Sequence, residues 1–266
     1  MKRTISLVLA VFLLAGAAFF TSCSSKTEGK IVCGVTEYEP MNYRNAAGHW
    51  TGFDTELALL VGEKLGMKVE FQEIEWANKY QELEAGTINA IWNGFTANSS
   101  ENGVPRSAMV DFSYSYMLNQ QCVVIRSVRA NEFRSLDSLF GKTVAAESGS
   151  AGETAAKEVI GDSGRIVGSP AQINTFLEVK SGAVDFAMVD ILLAKRLTGS
   201  GDYSDLMIAD ITLDYEVYAV GFKKGNDLRN KVNNALKELD DEGKLWDLAV
   251  KYKLEDTIIL DTNFKG

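Results

Sequence analysis

The chain alternates two hydrophobic patterns from residue 30 onward. Alternating or continuous apolar runs predict β-strands, as at Lys30–Val35 and at residues 68–74. Apolar residues at helical spacing predict a helix over Phe53–Leu65, with Asp54 as its N-cap and Gly66 as its stop. The same patterns predict strands at 90–92, 122–125, 143–146, 186–189 and 215–222, and helices at 76–85, 136–140, 153–159, 171–179, 190–197, 227–241 and 244–252. Strands that alternate with helices are typical of an α/β fold with parallel pairing.

Two segments of the chain share one pattern. Residues 84–91 and 180–187 each read as a helix end, a glycine, a hydrophobic residue, Asn or Asp, and a strand. The two glycines, Gly86 and Gly182, are 96 positions apart. Two αβ units of the same kind at this distance predict two similar lobes.

Composition narrows the function classes. Of the 266 residues, 46% are hydrophobic and 24% are charged, which excludes a disordered chain, a collagen and a polytopic membrane protein. The formal net charge of −9 makes nucleic acid an unfavourable partner, because a polyanion would be repelled. The one histidine, His49, argues against most catalytic triads and zinc sites, and we expect neither a metal nor another cofactor. Cys33 and Cys122 lie in strand-like runs, and their pairing is left open.

The first 29 residues have the pattern of a targeting signal followed by a tether. Lys2 and Arg3 precede an apolar run over 5–20, which is shorter than the ~20 residues of a spanning helix and predicts a secretory signal. The small residues around Cys23 resemble the lipobox of bacterial lipoproteins. This resemblance implies a signal peptide at 1–22, lipidation of Cys23 and a tether at 23–29. Secretion with cleavage nearby and an uncleaved anchor remain alternatives.

Four motifs follow in order along the rest of the chain. They are residues 35–41 (VTEYEPM), 51–54 (TGFD), 111–116 (DFSYSY) and 136–144 (LDSLFGKTV). Together they resemble family 3 of the substrate-binding proteins, the polar amino-acid-binding proteins of ABC importers. The resemblance implies a bilobal α/β fold of the type II periplasmic-binding class, with a two-strand hinge. Lobe 1 would comprise residues 30–118 and 215–266, lobe 2 would comprise 119–214, and a ligand cleft between them would close by hinge motion.

A free amino acid needs one group that binds its carboxylate and another that binds its ammonium. For the carboxylate the resemblance implies Arg106, whose guanidinium can bind a carboxylate bidentately. The segment 147–153 follows a strand and opens a helix, so its backbone amides can converge on an anion. This segment contributes four candidate residues, namely Glu147, Ser150, Ala151 and Gly152.

For the ammonium the resemblance implies Asp190, at the carboxyl end of a predicted strand. Backbone carbonyls and a hydroxyl of the turn after residue 92 would join it, and two aromatic residues would enclose the ligand side chain. The turn residues are Asn93, Gly94, Phe95 and Thr96, and the aromatic residues are Tyr38 and Trp76.

The implied function is that of an extracytoplasmic, lipid-anchored and monomeric receptor. It would capture a free amino acid and deliver it to an ABC permease and its ATPase. Acidic residues near the cleft would favour a cationic side chain, whereas Asn93 and Gln121 would serve a neutral polar ligand such as glutamine or cystine. The acidic residues are Glu37, Glu39, Glu147 and Glu216.

Two other functions on this scaffold stay open. A dehydratase acting on prephenate-like acids would need an acid near the leaving group, and Glu147 is the candidate. A sensor or an adhesin would use the same cleft for signalling or attachment. The sequence specifies neither the amino acid bound nor the membrane that carries the protein.

Overall fold

A computed structural model describes residues 29–264 of the chain. The predicted signal peptide, Cys23 and all but the last residue of the tether lie outside the described residues. The strands are β1 Lys30–Val35, β2 Tyr43–Arg44, β3 Trp50–Thr51, β4 Lys68–Glu73, β5 Ala90–Ile91, β6 Ser100–Glu101, β7 Val104–Pro105, β8 Asp111–Phe112, β9 Ser115–Arg126, β10 Thr143–Glu147, β11 Arg165–Ser169, β12 Phe186–Asp190, β13 Leu206–Ile208, β14 Tyr215–Tyr218, β15 Gly221–Phe222 and β16 Ile258–Asp261. The α-helices are α1 Phe53–Leu65, α2 Lys79–Ala85, α3 Arg106–Met109, α4 Ala151–Ile160, α5 Gln172–Ser181, α6 Ile191–Leu197, α7 Leu228–Asp241 and α8 Lys244–Tyr252.

Two sheets with the same core arrangement form the two lobes. The first has five strands in the order β4-β1-β5-β15-β8, and the second has seven, in the order β11-β10-β12-β9-β13 with β14 and β16 also paired to β9. In each order the second strand runs parallel to both of its neighbours, and the fourth strand is antiparallel to the third. Helices pack on both sheets, as the alternating pattern predicted. The α/β class and the two-lobed arrangement are therefore confirmed.

The repeated segment has the same structural role in both lobes. Gly86 and Gly182 both end a helix in the left-handed conformation. Three residues further on, the Asn89 side chain accepts a hydrogen bond from the backbone amide of Val32 at 2.8 Å. The Asp185 side chain accepts the equivalent bond from the amide of Thr143 at 2.9 Å. Each polar side chain thus bonds to the backbone near the start of the neighbouring strand, which is β1 in the first lobe and β10 in the second.

Strand β9 extends from one lobe into the other and forms one side of the hinge. Its first half pairs with β14 and β16, and its second half pairs with β12 and β13. The predicted strand at 122–125 is only the second half of β9. The predicted strand at 215–222 is in fact two strands, because the chain crosses from the hinge pairing of β14 to the first sheet at β15.

Three predictions about helices differ from the structure. Asp54 is not the N-cap of α1, because Gly52 holds that position and Asp54 lies inside the helix. The predicted helix over 76–85 begins with a 3₁₀ turn, Trp76–Asn78, before α2. The segment predicted as a helix at 136–140 is also a 3₁₀ turn, Leu136–Leu139.

Cys33 and Cys122 are both buried and unbridged. Burial raises the pKa of both thiols well above the ordinary value. Within residues 29–264, no helix is long and apolar enough to cross a membrane.

Candidate functional site

A narrow cavity lies between the lobes, and its lining comes from both. Its free space is about 10 Å³, which is close to the minimum that one water molecule needs, so the lobes are closed on each other. Nine of the twelve predicted ligand-binding residues line this cavity, together with Gln172, which was not predicted. The nine are Trp76, Asn93, Gly94, Thr96, Arg106, Glu147, Ser150, Ala151 and Asp190.

Arg106 supplies the positive charge of the cavity. It begins α3 and its side chain is only 1% exposed. Its Nη1 donates to the carbonyl of Thr96 at 2.9 Å, and its Nε donates to Glu101 Oε1 at 3.1 Å. Its Nη2 donates across the cleft to the carbonyl of Gly149 at 3.1 Å, while the guanidinium stacks over the ring of Phe95. The planar group is therefore held on several sides and presented to the cavity.

A second buried cation, Lys79, lies beside Arg106 and was not predicted. Its Nζ is 2.9 Å from Glu101 Oε1 and donates across the cleft to the carbonyl of Gly149 at 2.9 Å. Burial, reinforced by the nearby Arg106, lowers the pKa of Lys79 to about 8. Tyr80 also donates to Glu101, at 2.9 Å. The single carboxylate of Glu101 thus contacts both buried cations.

The N-terminus of α4 faces the same cavity. Ser150 Oγ accepts from the amide of Glu153 at 3.0 Å, and Glu153 in turn accepts from the amide of Gly149 at 2.7 Å. The backbone amide of Ser150 donates to the carbonyl of Glu147 at 3.1 Å. Ser150 is thus mainly a helix cap, and Ala151 is the cavity residue whose amide has no intrahelical acceptor.

Gly152 does not line the cavity. A Cβ at this position would lie 2.7 Å from the carbonyl oxygen of Met188 and 2.9 Å from Gln121 Oε1. The absence of a side chain lets α4 pack closely against β12 and β9. Gly152 therefore acts through packing and not as a predicted ligand contact.

Asp190 ends β12 opposite Gln121 of β9, and three amide side chains surround it. Its Oδ1 accepts from Asn119 at 2.5 Å and from Gln121 at 2.8 Å, and its Oδ2 accepts from Gln172. Its own amide donates to Gln172 Oε1 at 3.0 Å, and its side chain makes no capping bond to α6. Burial raises the pKa of Asp190 above the usual aspartate value despite these donors.

Glu216, on the hinge strand β14, shares those donors. Its Oε2 accepts from Thr96 at 3.0 Å and from Asn119 and Gln121 at 2.9 Å each. Burial and the neighbouring Asp190 raise the pKa of Glu216 to about 7. Asn119 and Gln121 of β9 therefore bridge two carboxyl groups, Asp190 on β12 and Glu216 on β14.

Glu147, at the end of β10, is the third carboxyl group and is only 3% exposed. Its Oε1 has no hydrogen-bond partner within residues 29–264. Burial and the nearby Asp190 raise the pKa of Glu147 to about 8, although Lys79 and Arg106 act in the opposite direction. Glu147 is thus a cavity acceptor that the protein leaves free.

The turn after β5 contributes its backbone to the cavity. The amide side chain of Asn93 is occupied by the protein, since its Oδ1 accepts from Thr36 and Asn42 and its Nδ2 donates to Thr36 Oγ1 at 2.7 Å. Gly94 has a φ of 55°, and its amide donates to Asp54 Oδ2 at 2.6 Å. Burial raises the pKa of Asp54 to about 7. The buried Asp54 carboxyl thus fixes the backbone of this turn by accepting the hydrogen bond from Gly94.

Two other predicted site residues lie outside the cavity lining, namely Tyr38, which was predicted as an aromatic contact, and Phe95, which was predicted as a turn residue. Tyr38 is buried behind Gly94, where a Cβ would lie 2.5 Å from the tyrosine ring, and its hydroxyl meets that of Tyr218 at 2.6 Å. Phe95 packs in the core of the first lobe, edge-on to Trp76 with ring centroids 5.5 Å apart. Of the three aromatic residues, only Trp76 reaches the cavity.

A wider cleft continues outward from the cavity and shares Ala151 with it. Its free volume is about 310 Å³, and its charged lining residues are Glu158, Asp214 and Glu216, all acidic. The inner cavity alone combines Arg106 with carboxylates, as a zwitterionic amino acid requires. The inner cavity is therefore the candidate site, although the outer cleft is the larger space.

Two of the acidic residues expected near the cleft do not reach the cavity. Glu37 and Glu39 form ion pairs with Arg44 and Arg196 and do not line the cavity. Within residues 29–264, no group of three potential ligands is placed to bind a metal ion.

Lys79 could have been found from the sequence, because it lies on the apolar face that Trp76 and Leu83 define.

Two similar lobes, a two-strand hinge and a charged interlobe cavity define a type II periplasmic-binding protein. The family model of the bacterial extracellular solute-binding proteins, family 3, matches residues 31–255. The chain belongs to this family, as its motifs predicted.

Individual relatives agree with this assignment. The chain is 28% identical to the arginine-binding extracellular protein ArtP of Bacillus subtilis over 258 residues, covering 95% of this chain and 98% of the relative. The solved structure of an ancestral arginine-binding protein bound to arginine is similar with a TM-score of 0.77 and 29% identity, covering 84% of this chain and 98% of that one.

An enzyme is among the more distant relatives. The cyclohexadienyl dehydratase of Pseudomonas aeruginosa is 23% identical over 195 residues, or 70% of each chain. The binding proteins above match over more of the chain at higher identity. The protein is therefore a solute-binding protein and not an enzyme, as the sequence predicted.

Proposed function

We propose that the protein captures a polar or cationic L-amino acid in the inner cavity and delivers it to an ABC permease. One observation carries this proposal: a buried guanidinium and buried carboxylates face one interlobe cavity from opposite sides. Arg106 and the first amides of α4 would bind the α-carboxylate. Asp190 would bind the α-ammonium, and Trp76 would pack on the side chain.

Ligand entry requires the lobes to separate, because the closed cavity has too little free space for an amino acid. We propose lobe boundaries at 118/119 and 214/215, where β9 and β14 pass between the sheets. Opening would bend these two strands and break the contacts that Arg106 and Lys79 make with Gly149. A bound amino acid would hold the lobes together from inside.

Delivery would take place at the outer face of a membrane. The proposed lipid on Cys23 would keep the protein near its permease, with the residues up to 29 as the tether. The ligand-binding names of relatives support an amino acid as the cargo, since ArtP and the ancestral protein are both named for arginine.

Isothermal titration with the twenty amino acids, ornithine and cystine tests the function. We expect at least one polar or cationic amino acid to bind at one site per chain. Arg106→Ala should abolish binding, and Arg106→Lys should weaken it, because lysine retains the charge without the bidentate fork. The exposed Arg165→Ala is the matched control. Unchanged binding by Arg106→Ala would remove Arg106 from the site, and no binding of any amino acid by the parent protein would refute the function.

The anchor needs a separate test. Expression of the full chain and of Cys23→Ala, followed by detergent phase separation, should place the parent chain in the detergent phase and the variant in the aqueous phase. Partition of both into the aqueous phase would contradict lipidation.

A further inference from the structure

The three carboxyl groups around the cavity differ in how fully the protein satisfies them. Asp190 accepts from three amide side chains, and Glu216 Oε2 accepts from three donors. Glu147 differs, because its Oε1 has no partner within the described part of the chain. A buried carboxyl oxygen without a donor is costly unless a ligand supplies one.

The balance of charge in this region is also uneven. Lys79 and Arg106 are two buried cations, and Glu101 contacts both, at 2.9 and 3.1 Å, so its single negative charge offsets only one of them. Asp190, Glu216 and Glu147 remain on the opposite side. An amino acid with a neutral side chain brings one positive and one negative charge, which leaves this excess of acid uncompensated.

We infer that Glu147 is a second cation-binding residue of the cavity, and that it selects an amino acid with a cationic side chain. This inference rests on the proposed function. Asp190 would bind the α-ammonium, and Glu147 would accept a hydrogen bond from the distal guanidinium or ammonium. The ligand class is therefore the basic amino acids with at least two cationic groups.

A proton would accompany this selection. The groups that face Glu147 are Asp190 on β12, Lys79 on α2 and Arg106 on α3. In the closed cavity burial raises the pKa of Glu147 to about 8, so near neutral pH the enclosed carboxyl holds a proton when the ligand supplies no cation. A cationic side chain would displace that proton and restore the carboxylate, whereas a neutral side chain would leave the proton in place.

The test compares arginine with citrulline, its neutral isostere, in the parent protein and in Glu147→Gln. Arginine should bind the parent at least tenfold more tightly than citrulline. Glu147→Gln preserves the shape and removes the charge, so it should lower arginine affinity at least tenfold and change citrulline affinity less than threefold. Glu63→Gln, on the exposed face of α1, is the control and should change neither.

Titrations in buffers of different ionisation enthalpy provide a second readout that needs no variant. At pH 7 the closed arginine complex should hold one proton fewer than the closed citrulline complex, so net proton release should be larger for arginine than for citrulline. An arginine-to-citrulline ratio that Glu147→Gln leaves unchanged would overturn the inference, as would tighter binding of citrulline by the parent. Either result leaves the proposed function standing, whereas a protein that binds no amino acid refutes both.

Discussion

At the scale of single residues, the cavity is a collection of ionisable groups that the fold removes from water. Removing a carboxylate from water favours its protonated form unless donors compensate. Asp54 retains a raised pKa although Gly94 and Tyr116 both donate to it. Glu147 has no hydrogen-bond donor at its Oε1, and burial raises its pKa to about 8. Buried acid is therefore a cost to stability that a ligand can relieve.

This cost predicts how stability depends on pH. The pKa of Glu147 is about 8 when folded and near 4.5 when unfolded, so between these values the folded protein binds the additional proton. The free energy of unfolding therefore falls as pH rises through this window, by at most about 1.4 kcal/mol per pH unit for one proton. Glu147→Gln should flatten this fall in ligand-free protein, as measured by urea unfolding from pH 5 to pH 8. Parallel curves for the parent and the variant would contradict the assignment.

The two buried thiols give a second prediction at this scale. Cys33 and Cys122 lie on β1 and β9, and burial raises the pKa of both. A thiol is reactive as the thiolate, so both should be inert in the folded protein. Ellman's reagent, applied to the purified chain beginning at residue 24, should detect no thiol under native conditions and two in guanidinium. Two thiols detected without denaturant, or none in denaturant without reductant, would contradict this state.

At the scale of elements, the sequence predicted the repeated αβ units and the features that depend on neighbouring residues along the chain. The pattern around Gly86 and Gly182 predicted two equivalent units, and Asn89 and Asp185 confirm them with equivalent bonds. The predicted cavity residues follow strand ends, where backbone direction places them together. Gln172 and Asn119 were missed because their roles depend on contacts between distant segments. The split of the strand at 215–222 was missed for the same reason.

The hairpin of β6 and β7 was not predicted from the sequence. It fills the loop between Thr96 and Arg106, and its Glu101 contacts both Lys79 and Arg106. Its Ser100 carbonyl accepts from Thr154 of α4 in the opposite lobe at 2.8 Å. The hairpin thus orients the cations of the first lobe and contacts the second. We expect it to link ligand binding with closure.

Lys79 makes this connection testable. Its charge-assisted bond to the Gly149 carbonyl exists only when the lobes are closed, and such bonds contribute about 1.5–3 kcal/mol. Lys79→Met should therefore weaken ligand binding about tenfold, chiefly through faster dissociation in stopped-flow measurements. Lys79→Arg should restore most of the affinity. Because the pKa of Lys79 is about 8, the parent should lose affinity above that pH more steeply than Lys79→Arg. Equal dissociation rates in the parent and Lys79→Met would contradict this role.

At the scale of the whole molecule, closure has a buried centre and an exposed rim. The buried contacts converge on the Gly149 carbonyl, and the rim carries the ion pair between Arg196 and Glu39 at 2.6 Å. The two rim side chains are 45% and 34% exposed. Water and salt screen such a pair, so exposed pairs contribute about 0.2–1 kcal/mol. The centre should therefore control the closed population.

Arg196→Gln tests this division between centre and rim. Removing the rim pair should raise the ligand dissociation constant less than fivefold at low salt, because an exposed ion pair contributes little. The difference from the parent should vanish in 1 M NaCl, where screening extends over only about 3 Å. Lys79→Met should retain its larger effect in the same salt, because its partners are buried. Titration calorimetry at both salt concentrations measures this contrast. A loss above tenfold for Arg196→Gln that persists in high salt would move the control of closure to the rim.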